Sequence, residues 1–160
     1  MSPSAYSLSI IMAYHSDRLY AECRADFNKL VSNLLSGTER LVDSLNSLFL
    51  EGKNFQQQFR FDALFSIAFD IGADLFFESP LPQLVISGGS VSLFREAILS
   101  IPSFNDDLNP SLADQLSRYK MPSLNRRDAE LRLFLGHPIF VINKRFHVEV
   151  LHPLLQFLCR

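Results

Sequence analysis

From Phe61 to Phe77, twelve of seventeen residues are apolar; the exceptions are Asp62, Ser66, Asp70, Gly72 and Asp74. A helix that is apolar nearly all round is stable in water only when its neighbours cover it. The pattern predicts a buried central helix over 62–78. Asp62, Ser66, Asp70, Asp74 and Glu78 recur every four residues and trace one narrow polar edge, which is expected to lie in water. Carboxylates four apart share a helix face, but carboxylate metal bundles also need Glu-x-x-His pairs on matching helices. This segment carries none, so no metal is expected on it. Phe61, Phe65 and Phe69 form an adjacent ladder, each worth about 2–3 kcal/mol by area when buried.

The segments before it supply partners for that helix. Leu19, Cys23, Phe27, Leu30 and Leu34 fall on one helical face, predicting a helix over 16–35 with Ser16 or Asp17 as cap and Gly37 as stop. Ser36 and Glu39 have capping-box spacing for a second helix over 38–50, with Leu41, Leu45, Leu48 and Phe49 as its stripe and Gly52 at its end. One long helix with Gly37 inside is the alternative, at about 1 kcal/mol relative to Ala. Asn54 to Arg60 reads as a polar connector. Met1 to Tyr14 is uncharged and lacks the basic start of an export signal, so it reads as a lead-in segment, mobile or docked. Pro80 and Pro82 stop the central helix. Gly88-Gly89 fits either a hairpin or the approach to a helix over 92–101; Phe94, Ala97, Ile98 and Ile101 favour the helix.

Composition excludes several classes. The chain has 160 residues, 48% apolar and 20% charged, which fits one ordinary domain and argues against disorder. No apolar run is long enough to read as a membrane span. Two cysteines, Cys23 and Cys159, make no disulfide framework, so the expected location is intracellular and cytoplasmic. There is no GxSxG, HExxH, CxxC or phosphate-binding glycine motif, so an enzyme is not favoured and no cofactor is expected. His137, His147 and Glu149 lack a fixed zinc spacing.

The charge is unevenly placed. Residues 1–114 carry seven Lys/Arg against fourteen Asp/Glu, a net of -7, whereas residues 115–160 carry eight against three, a net of +5. Within the basic part, Asn109-Pro110 opens a short helix over 110–120 with Leu112, Leu116 and Tyr119 as its stripe. Asn125 caps a second helix whose buried side is Leu131, Phe134 and Leu135, ended by Gly136 and Pro138. Ile139 to Ile142 and Phe146 to Val150 read as a β-hairpin, with a three-residue loop pairing Ile142 with Phe146 or a two-residue loop pairing Val141 with Phe146.

That order resembles a winged helix-turn-helix. The resemblance implies a second helix in the major groove, with Arg126 and Arg127 near its start, and a hairpin tip on phosphates. Asp128 and Glu130 depart from it, because they would repel phosphate. The expected fold is α+β and predominantly helical, a bundle over 1–102 followed by a helix-turn-helix plus hairpin over 103–160, or one continuous domain. The expected function is a non-enzymatic regulator. Its helical part would bind a protein, and its C-terminal part nucleic acid, through Arg118, Lys120, Arg126, Arg127, Arg132, Lys144 and Arg145. The alternative is a pure interaction, accessory or chaperone-like protein, suggested by the surplus of Phe and Leu. A small enzyme or ligand binder ranks third.

Overall fold

The structure, a computed structural model, describes residues 1–14, 26–49, 55–121, 124–142 and 148–151. Among these residues it is predominantly helical, with α1 (Ala5–Ala13), α2 (Phe27–Leu35), α3 (Glu39–Asn46), α4 (Phe55–Ile71), α5 (Ala73–Glu78), α6 (Leu81–Ser87), α7 (Val91–Ser100), α8 (Pro110–Arg118) and α9 (Arg126–Phe134). One antiparallel pair, β1 (Phe140–Ile142) and β2 (Val148–Val150), completes it.

The apolar mid-chain segment forms the centre. Every side chain of α4 from Phe61 to Ala68 is buried. Phe61 and Phe65 stack with ring centroids 6.3 Å apart, Phe69 continues the ladder at 6.1 Å, and Phe49 joins it 6.1 Å from Phe61. Three expectations are corrected here. The run Gln56-Gln57-Gln58 forms the first turns of α4 instead of a connector; Gln56 is exposed, and Gln58 donates to the Ser2 carbonyl at 3.0 Å. The helix stops at Ile71, because Gly72 takes φ +91° and ψ 152°, a conformation open almost only to glycine. Asp62 and Asp70 are buried rather than solvated, and only Asp74 and Glu78, on the separate α5, are exposed.

The N-terminal segment is docked, as a core helix. Ser7 to Tyr14 are all buried, and α1 packs on α4, β1 and α9. Ser4 caps α1 by accepting from the Tyr6 amide at 3.3 Å. The Tyr14 hydroxyl donates to the Leu124 carbonyl at 2.9 Å, which ties the end of α1 to the approach to α9.

In α2, Asp26 caps the helix by accepting from the Lys29 amide at 3.2 Å, so a helix begins at Phe27; the expected caps Ser16 and Asp17 lie outside the described residues. The Ser36–Glu39 capping box does not form, because Ser36 ends α2 and Thr38 occupies the cap of α3. Gly37 takes φ +78° in the turn between them.

Leu84-Val85-Ile86 is helical, and Gly88, at φ +68°, closes α6 before Ser90 caps α7. The hairpin alternative at Gly88-Gly89 is thereby replaced by a helix–turn–helix pair. Phe94, Ala97 and Ile98 face inward as the period requires. In the C-terminal hairpin Phe140 pairs with Val150 and Ile142 with Val148. Neither expected register occurs; the observed one is two residues removed from the three-residue-loop pairing, so it puts the same faces inward. One cluster of buried apolar residues includes side chains of α1 and α4 together with Leu112, Leu116, Phe134, Phe140 and Val150.

Candidate functional site

Asn125 caps α9 by accepting from the Asp128 amide at 2.8 Å, as its position before Arg126 predicts. The turn that follows directs both arginines inward. Arg126 is 1% exposed and Arg127 4%. They meet Asp70 of α4 and Glu130 of α9 in an alternating four-charge cluster. Arg127 Nη2 lies 2.8 Å from Asp70 Oδ2, Arg126 Nε 3.0 Å from Glu130 Oε1, and Arg126 Nη1 3.5 Å from Asp70 Oδ1. Arg127 Nη1 also pairs with Glu130 Oε2.

Backbone and hydroxyl groups complete the cluster. Arg127 donates to the carbonyls of Ile101 and Pro102, each at 3.0 Å, and Arg126 to that of Ser66 at 3.1 Å. Ser66 donates to Glu130 at 2.7 Å. Asp70 accepts from Ser103, from the Phe104 amide and from Asn105. Burial by itself raises the Asp70 pKa. The Arg126 charge, the hydrogen bonds of Asn105 and Ser103, and the Arg127 charge outweigh it and hold the carboxyl below its ordinary value. Two cations and two anions, all desolvated and mutually paired, leave no free charge for phosphate. The cluster clamps loop 101–106 between α4 and α9.

This placement divides the seven expected nucleic-acid residues. Arg126 and Arg127 are in the cluster, Arg118 and Lys120 are exposed at the end of α8, and Arg132 is half-buried. Lys144 and Arg145 lie outside the described residues. His147 and Cys23 do too, and among the described residues no group of three or more His, Cys, Asp or Glu could hold a metal.

A second feature lies at the C-terminal end of α9, on the face that also carries Arg126 and Glu130. Leu48, Phe49, Leu84, Val85, Phe94 and Phe134 line a cavity of about 150 Å³ that is open to solvent on one side, with Gln57, Arg60 and Gly88 completing its lining. Phe94 and Phe134 pack on its wall with ring centroids 4.6 Å apart and planes tilted by 36°. The Arg60 guanidinium lies over the Phe134 ring, its Cζ 5.2 Å from the centroid. Arg60 Nε is shielded from water and has no acceptor. A buried donor without a partner costs about 1–3 kcal/mol.

Arg60 was not distinguishable from its neighbours in sequence, because it stands in the polar run before Phe61. The charge cluster did leave a sequence trace. Glu130 follows Arg126 by four and Arg127 by three, the spacings that pair on a helix. Asp70 is a lone carboxylate between apolar residues, which in a buried helix requires a cation, hydrogen-bond donors or a retained proton.

Comparison of the chain with protein-family models, with curated proteins and with solved structures found no match in any of the three. No helix among the described residues is long and apolar enough to cross a membrane.

Proposed function

We propose that the chain is a non-enzymatic protein-interaction module that docks a protein partner on its α5–α7 helices. Six of the eight large apolar side chains exposed among the described residues stand there: Leu75 and Phe77 on α5, Ile86 on α6, and Val91, Leu93 and Leu99 on α7. Ile86 is 53% exposed and Leu93 49%. Single exposed apolar residues are ordinary, but a concentration of them on consecutive helices is the usual mark of a protein contact. Asp74, Glu78 and Glu96 are exposed on the same helices against one exposed cation, Arg95, which favours a partner with a surplus of basic residues beside its apolar anchors.

The concentration of exposed apolar side chains on these three helices is the observation that carries the reading. The helix–turn–helix–hairpin order of α8, α9 and the β-pair would give a winged-helix route to nucleic acid. Its two central arginines are neutralised inside the fold, which weakens that route.

The test is a comparison of the full chain with Leu93→Glu and Ile86→Glu in native capture, with circular dichroism to verify the fold. Specific partners lost by both folded variants would support the reading. A partner set unchanged by both, or binding to duplex DNA or RNA that weakens as salt rises, would overturn it.

A further inference from the structure

The two arginines of α9 show what this protein does with a guanidinium it needs only for packing. Every side of each is met by a carboxylate, a hydroxyl or a carbonyl. Arg60 is treated differently. It stands at a cavity whose other lining residues are mostly aliphatic and aromatic. Among the described residues no carboxylate lies within ion-pair distance of it, and its Nε has no acceptor. Its guanidinium is held on the wall by the Phe134 ring, at 5.2 Å. A planar cation fixed over an aromatic face presents a fork that matches a carboxylate.

The volume sets how much of the ligand the cavity takes in. An apolar cavity of about 150 Å³ accommodates a single six-membered ring. Leu48, Leu84, Val85 and Phe94 provide the apolar surface for such a group. We propose that the Arg60 cavity is a binding site for a small apolar carboxylate, an aromatic ring or short alkyl chain bearing one acid group. The carboxylate pairs with Arg60, and the apolar body lies against Phe94 and Phe134. None of the lining residues is among the exposed apolar side chains of α5–α7, so this site and the docking face stand or fall separately.

The test uses the full chain and NMR titration with benzoate, benzamide, hexanoate, hexanamide and inorganic phosphate. Benzoate and hexanoate should shift resonances of Leu84, Phe94 and Phe134 and bind at least about tenfold more tightly than the matching amides, the difference a charge-assisted pair makes. Phosphate should leave these resonances in place. Arg60→Gln should bring each acid down to the level of its amide. Val85→Phe, which fills the cavity, should weaken acids and amides together. Equal affinity for acids and amides in the unsubstituted chain would overturn the proposal without recourse to any variant. So would shifts by phosphate at the same residues, or no response there up to the solubility limit of the acids.

Discussion

Asp62 is buried in the core and faces a hydroxyl and an amide instead of a cation. Its Oδ1 accepts from the Ser4 amide at 2.8 Å, and its Oδ2 from the Ser4 hydroxyl. The same Ser4 caps α1, so this carboxyl sets where the first helix enters the core. Burial raises the Asp62 pKa, and the Ser4, Gln58 and Ser7 hydrogen bonds only partly oppose it. The folded form therefore holds its proton to higher pH than the unfolded chain, whose aspartates titrate near about 3.9. Stability contributed by this group falls as pH rises through the raised value and returns as pH falls. Asp70 has the opposite sign, and its contribution is lost only as pH falls below the unfolded value. Urea unfolding at neutral and at mildly acidic pH separates the two. Acidification should stabilise the unsubstituted chain relative to Asp62→Asn, and an unchanged difference between the two would show that Asp62 titrates alike in both states.

At the scale of elements, the break at Gly72 decides what the mid-chain segment does. The apolar pattern runs on to Phe77, yet α4 ends at Ile71 and α5 starts afresh at Ala73. The break leaves Leu75 and Phe77 exposed while Phe76 remains in the core. A Cβ at residue 72 would meet no atom within 4 Å, so the resistance to substitution is in the backbone alone. Gly72→Ala should destabilise the protein by about 1–3 kcal/mol, measured by equilibrium unfolding. A neutral result would mean that the φ of +91° is not needed at this junction. The break was not legible, because one glycine in a helical pattern is tolerated as often as it ends a helix. Caps were read unevenly for a related reason. Asn125 acts where expected, whereas Ser36 is displaced by Thr38, which holds the cap position without a side-chain bond, since neighbouring small polar residues compete for a helix start.

For the whole molecule, the four-charge cluster joins the two halves that the charge asymmetry suggested were separate. α9 packs most extensively on α4, and Phe134 packs against Phe94. A chain ending at residue 102 would strip α9 from α4 and leave the apolar side chains it covers, Phe94 among them, open to water. Each large apolar side chain so exposed costs about 1.5–3 kcal/mol, against a total stability of about 5–15 kcal/mol for a domain. Residues 1–102 alone should therefore show no cooperative unfolding transition in urea. A sharp transition with dispersed amide resonances would establish 1–102 as an independent unit and return the cluster to a peripheral role.

The sequence by itself determined that the chain is mostly helical, that Phe61 to Ala68 lie in its core, and that Asn109-Pro110, Asn125 and Gly136 bound the C-terminal helices. These follow from periodicity and local backbone preference, which act over a few residues. Only the tertiary structure decided that the segment from Met1 to Tyr14 carries a core helix, Ala5–Ala13, that Arg126 and Arg127 turn inward to Asp70, and that Arg60 stands at a mostly apolar cavity. Asp70 and Arg127 are 57 positions apart in the chain. A charge's role depends on whether an opposite charge shares its low-dielectric surroundings, and long-range packing alone brings the two together.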